Sequence, residues 1–205
     1  AYAWYDENWK SPKQILERLI ACVARGGPYM LNIGPRGDGS VSLRCAESLR
    51  AAGDWIARYP QVVYDVEGSP WQHAMPWGDV TRKDQTLFLS VFQWPSSGEL
   101  YLPNIQQDVT RVQLLQGSES VDLACERRGK HVVIQVPAKA PDSLASVIEL
   151  NFAENPTIDP VLTIDPEAIT RLPVEFADVE GLKKSEKRWM EKFGEWKRIV
   201  HGHEF

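Results

Sequence analysis

Between residues 86 and 152 the sequence is a series of short apolar runs cut apart by turn clusters, and this pattern constrains the fold most. The runs are TLFLSVFQ (86–93), ELYL (99–102), TRVQLL (110–115), SVDLAC (120–125), HVVIQV (131–136) and SVIELNF (146–152). Several alternate apolar and polar residues, the period of a strand with its two faces in different surroundings. Pro95-Ser96-Ser97-Gly98 and Arg128-Gly129-Lys130 supply turn chemistry between them. No helical pattern intervenes, so the segment predicts an antiparallel β-sandwich.

The residues before Pro60 have a different rhythm. Ser11-Pro12-Lys13-Gln14 is a compact helix start: Ser11 as N-cap, Pro12 in the first turn, and Gln14 placed to close a capping box. Ile15, Leu16, Leu19, Ile20 and Val23 follow at helical spacing, with Arg25 in the last turn and Gly26 as C-terminal cap. Tyr29, Met30, Leu31 and Ile33 then form a short, nearly continuous apolar run, which predicts a strand buried on both faces. A second helix is expected over about 42–58, burying Leu49, Ala52 and Ile56 and stopping before Pro60. Helix, buried strand, loop and helix make an α/β unit with parallel strands. The boundary to the sandwich falls near residues 60–75.

Past Asn155, Asp159-Pro160 and Asp165-Pro166 mark an extended connector. A closing amphipathic helix is expected over 182–200, with Trp189, Phe193, Trp196 and Ile199 on one side. It reads either as a lead into a further domain or as a helix folded back on the sandwich.

Composition removes several function classes. The 205 residues carry a formal charge of −5, which does not favour nucleic acid, and no apolar stretch reaches the roughly 20 residues that span a bilayer. Cys22, Cys45 and Cys125 are too widely spaced for metal ligation, and an odd number cannot all pair within one chain, so buried free thiols are expected. No cofactor or metal is called for. The opening AYAWYDENW lacks an initiator Met, as expected of a fragment or processed chain.

Several motifs reduce to ordinary structure. Arg36-Gly37-Asp38 matches an adhesion tripeptide, but Gly-Asp-Gly after proline is turn chemistry first. GPRGDGS lacks the Gly-Lys-Ser/Thr of a phosphate-binding loop. The four histidines are scattered, and His201-x-His203 reads as a surface pair near the chain end. Asn32 keeps two readings. One is a buried amide satisfied by backbone; the other is a polar group at the C-terminal end of a parallel strand, where α/β enzymes keep their sites. The aromatics Tyr2, Trp4, Tyr5 and Trp9 suit a packed loop or a sugar-stacking rim.

Taken together, these residues resemble the α-L-fucosidases of glycoside hydrolase family 29. The resemblance rests on AY followed by WKSPKQ, on GGxxxLNIGPxxDG, on GDWI, and on PW…WGDVT. It extends through LFLSVFQWP…GELYLPNI and PAKAPDSLASVIEL, covering residues 1 to about 152. It implies the last strand and helix units of a (β/α)₈-like barrel (residues 1–62) and an antiparallel β-sandwich (63–153); the connector and helical tail read from the residues (154–205) fall outside it. It also implies retaining hydrolysis of terminal α-L-fucose by a carboxylate nucleophile and an acid/base glutamate. Both family positions lie before Ala1. Asp6, Glu7 and Asp38 are the acids near the presumed active face, and none matches a catalytic position. Tyr2, Trp4 and Asn32 carry over as substrate-binding residues. Pro28-Tyr29 departs from the family, which has asparagine and an aliphatic residue there.

The expected partners are a fucosylated glycan or fucoside, with a homo-oligomer or the remaining part of the same enzyme as macromolecular contact. Two other roles compete. The sandwich could be a non-catalytic carbohydrate-binding or adhesion module using Trp71, Trp77 or Trp94, or a brace that buries one side of the barrel. Tryptophans exposed around a groove favour the module; tryptophans packed against the barrel helices favour the brace.

Overall fold

A computed structural model describes residues 9–71 and 73–159; the closing amphipathic stretch and the His201/His203 pair lie outside them.

Helix α1 spans Pro12–Val23 and starts as the sequence predicts. The Ser11 hydroxyl accepts from the Gln14 amide and the Gln14 side chain accepts from the Ser11 amide, with Pro12 in the first turn. Ile15, Leu16 and Ile20 form its buried stripe. The cap itself is Ala24, and Gly26 takes its left-handed φ of 68° two residues later. Helix α2 spans Leu43–Arg58, capped by the Ser42 hydroxyl. Its buried side centres on Ala52 and Trp55, with Leu49 and Ile56 only partly covered. A 3-10 turn, Pro60–Val62, follows.

Eight strands follow among the described residues: β1 Gly78–Lys83, β2 Thr86–Val91, β3 Glu99–Leu102, β4 Val109–Gln116, β5 Glu119–Asp122, β6 Cys125–Arg128, β7 His131–Gln135 and β8 Ser146–Phe152. They form a five-stranded sheet, β1-β2-β8-β4-β5, and a three-stranded sheet, β3-β7-β6. Every strand pairing is antiparallel. The expected turn at Arg128-Gly129-Lys130 joins β6 to β7, with Gly129 at φ 60° as such a tight hairpin requires.

Alternation of side chains builds three layers. Leu87, Leu89 and Val91 of β2, Val112 and Leu114 of β4, and Ile148, Leu150 and Phe152 of β8 face the three-stranded sheet. There they pack with Leu100, Leu102, Val132 and Ile134. The opposite face of the same sheet presents Phe88, Phe92, Leu115, Ala145 and Val147 to the helices, where Trp55 is fully buried and donates its indole N–H to the Ala145 carbonyl at 2.8 Å. The five-stranded sheet is therefore apolar on both faces, which explains why TLFLSVFQ reads as a continuous apolar run rather than a strict alternation.

Four expectations need correction. SVDLAC is two strands, because the chain crosses between sheets at Leu123 and Ala124. The Leu123 amide reaches the Val112 carbonyl in one sheet, and the Gln135 amide reaches the Ala124 carbonyl in the other, both at 2.9 Å. β1 was not anticipated, since Val80 is the one aliphatic residue in GDVTRK. The thiols are free but not buried: Cys22 and Cys45 are half-buried and Cys125 is exposed, each on the rim of its element. Residues 29–33 form no strand, and Met30 is 92% exposed. A parallel strand takes all its backbone bonds from neighbours reached by crossover connections, and no strand among the described residues lies beside this segment.

Candidate functional site

The segment that the sequence singles out, residues 26–42, leaves the C-terminal end of α1 and returns as the N-cap of α2. Its root is well tied, with the Gly26 amide bonded to the Val23 carbonyl and the Gly27 amide to the Cys22 carbonyl, each at 2.9 Å. Residues 28–36 run without regular structure, and a tight turn follows. There the Arg36 amide donates to the Ser40 carbonyl at 2.8 Å and the Gly39 amide to the Arg36 carbonyl at 2.9 Å. The Asp38 carboxylate accepts from the Ser40 hydroxyl at 2.7 Å and the Ser40 amide at 2.9 Å. Those two bonds, the hydroxyl first, hold the Asp38 carboxyl below its usual range. Asp38 thus serves the turn, as its residue type suggested.

Asn32 stands in the irregular part of this loop. It is exposed, and its amide makes no hydrogen bond among the described residues. The expectation of a buried, bonded amide is corrected: with no strand beside residues 29–33, nothing covers it. Tyr2, Trp4, Asp6 and Glu7 lie outside the described residues, so Asn32 is the one substrate-binding candidate with a described position.

The root of the loop is joined to the sandwich by groups that sequence reading missed. The Arg25 guanidinium caps α1 through the Ala21 carbonyl and pairs with the Asp79 carboxylate on β1, both at 2.8 Å. Burial pushes the Asp79 carboxyl up, and the bond and charge of Arg25 oppose that rise. Beside the pair, the Ser69 amide donates to the Ala24 carbonyl at 2.6 Å. Elsewhere along the interface, Lys13 reaches the Phe92 carbonyl at 2.6 Å, Thr81 the Val62 carbonyl at 2.9 Å, and Arg58 pairs with Asp142 at 2.9 Å. The one hint of Asp79 in the sequence is an acid set next to Val80 at the head of an alternating run.

The sandwich tryptophans answer the question posed of them. Trp71 and Trp77 are buried in the sandwich core, their indole N–H groups donating to the Pro103 and Tyr101 carbonyls. Trp94 packs against the same core and donates to the Pro137 carbonyl at 2.7 Å. All three therefore belong to the core between the two sheets and not to the helix-side layer, so they meet neither the module's test nor the brace's. Among the described residues no group of three or more His, Cys, Asp or Glu side chains is arranged to hold a metal ion.

Comparison with known proteins adds the family. The profile of the α-L-fucosidase family matches residues 1–61. The plasma α-L-fucosidase of Pongo abelii is 27% identical over 134 residues, 61% of this chain and 28% of that protein. The α-L-fucosidase of Vibrio sp. strain EJY3 superposes with a TM-score of 0.69 at 25% identity, covering 80% of this chain and 30% of that one. The Bacteroides thetaiotaomicron GH29 α-L-fucosidase, solved as a trapped covalent intermediate, gives 0.63 at 27% identity over 72% of this chain and 35% of that one. Such coverage reaches well beyond residues 1–61 into the sandwich. The chain spans less than a third of the length of the first curated relatives, 28% in each case. By sequence and by fold together, the chain is similar to α-L-fucosidases, a glycoside hydrolase family 29 enzyme among them.

Proposed function

We propose that this chain is part of a retaining exo-glycosidase that removes terminal α-L-fucose from glycans or simpler fucosides. Residues 1–62 contribute the end of the (β/α)₈-like catalytic barrel and residues 63–153 the sandwich that follows it. The observation that carries the reading is the family match over residues 1–61, which contains GGPYMLNIGPRGDG. The related Bacteroides enzyme was trapped as a covalent intermediate with 2-fluoro-fucosyl fluoride, which is the chemistry of double displacement with retention.

In that chemistry one carboxylate attacks the anomeric carbon while a second carboxyl group protonates the departing oxygen, the two lying about 5–5.5 Å apart. Water then cleaves the glycosyl-enzyme with the second group acting as base. We assign both groups to sequence preceding Ala1. This chain supplies lining: Tyr2 and Trp4 as faces against the sugar ring, and Asn32 as a donor and acceptor for its hydroxyls. The exposure of Asn32 supports this assignment, because its amide is not committed to the core.

The test compares residues 1–205 with the full-length protein on an aryl α-L-fucoside. The full-length protein should release the leaving group and the isolated chain should not. Turnover by residues 1–205 that is lost on changing Asp6, Glu7 or Asp38 would show that the catalytic pair is misplaced. In the full-length protein, Asn32→Ala should lower kcat/KM while leaving the unfolding midpoint nearly unchanged.

A further inference from the structure

The contact between β1 and the end of α1 is built more tightly than packing alone requires. Asp79 is buried, its side chain only 9% exposed, at one edge of the five-stranded sheet. It points at the guanidinium that also caps α1. The next stretch of backbone reinforces the joint. A Cβ on Gly68 would stand 3.1 Å from the Gly26 amide nitrogen and 3.2 Å from the Ala24 carbonyl oxygen, so the two backbones meet closely enough that a side chain would make one of them give way. Ser69 adds its bond to the Ala24 carbonyl, and Glu67 exchanges backbone bonds with Arg82 of β1. Three features of the sandwich side thus converge on Ala24–Arg25–Gly26, the residues from which the Asn32 loop departs.

We propose that Asp79, acting through Arg25, is a positioning residue that locks the sandwich to the root of the 26–42 loop and sets the direction in which Asn32 is presented. The assignment rests on the fucosidase reading for its catalytic consequence and on geometry alone for the lock. A buried carboxylate is costly without a partner; among the described residues Arg25 is that partner, and its guanidinium is held in place by its bond to the Ala21 carbonyl. Loss of either charge therefore frees the joint, whereas the apolar layer around Trp55, which contains neither residue, still holds the helices to the sheet.

The experiment uses the full-length protein with Asp79→Asn, which keeps volume and an acceptor, Arg25→Gln, and the double variant. Hydrogen exchange is read at the Gly26, Gly27 and Ser69 amides, with α2 amides as the internal reference, alongside kcat and KM on an aryl fucoside. Each single variant should speed exchange at those three amides about tenfold while α2 is unchanged. The double variant should be no faster than either single one. kcat/KM should fall about tenfold with little movement of the unfolding midpoint. Wild-type exchange at the three amides in both single variants, or effects that simply add, would overturn the lock. An exchange effect with undiminished kcat/KM would overturn the positioning role. A wild-type protein that releases no fucose breaks the fucosidase reading instead, and the exchange comparison still decides the lock.

Discussion

Residues 29–33 and 131–135 are both short and mostly apolar, yet they end in opposite states. HVVIQ is strand β7 in the middle of its sheet, with Val133 and Ile134 fully buried. YMLNI is irregular, with Met30 and Ile33 exposed. The difference lies outside the segments. β7 has β3 on one side and β6 on the other, reached by antiparallel connections within the described chain. Residues 29–33 have the pattern of a parallel strand, whose partners must come from elsewhere in a barrel. Apolar character proposes a strand, and backbone partners decide whether one forms.

The strongest way to break this comparison is to attack the layer that joins the two regions. Trp55→Ala removes the largest fully buried side chain on the helix side and should cost about 3–5 kcal/mol, read as a shift of the urea midpoint. A loss below about 1 kcal/mol would mean that the helices do not rely on the sheet. Next, Ile134→Ala in β7 should cost about 3 kcal/mol in the same assay. Ser11→Ala tests whether the helical region draws on local signals, and loss of the capping box should cost about 1 kcal/mol. Met30→Ser should stay within about 0.5 kcal/mol of wild type, since the side chain touches little. A large loss there would show that the loop packs. The smallest effect expected concerns Glu99. Its carboxyl is held down to about 2, first by the Arg128 hydrogen bond and then by Tyr101 and Gln135. A depressed carboxylate favours the fold above its ordinary range and loses that contribution as pH falls through about 2. A carboxyl chemical-shift titration should show this midpoint, and Arg128→Gln should move it upward.

Legibility in the sequence followed the range of the interaction involved. The start of α1 was readable from Ser11, Pro12 and Gln14, because a capping box is closed within one turn. ELYL and SVIELNF matched β3 and β8 residue for residue, because alternation and turn residues lie in the strands themselves. β1 was missed for the opposite reason: its buried Asp79 and Thr81 are polar, and they belong inside only because Arg25 and the Val62 carbonyl receive them. The candidate site was legible in the same uneven way. The 36–40 turn followed from Gly-Asp-Gly, whereas the exposure of Asn32 depended on what does or does not lie beside it.

The amino-acid sequence by itself determined the N-terminal cap of α1, the hairpin turns and most strand positions, all of which rest on residue types at short spacing. Tertiary structure alone decided that the five-stranded sheet has two apolar faces. It also decided that Trp71 and Trp77 are core rather than platform, and that a buried carboxylate on β1 grips the end of α1. Those outcomes depend on which surfaces meet across long stretches of chain, as with Arg25 and Asp79 at a separation of 54, and no local pattern encodes such a meeting.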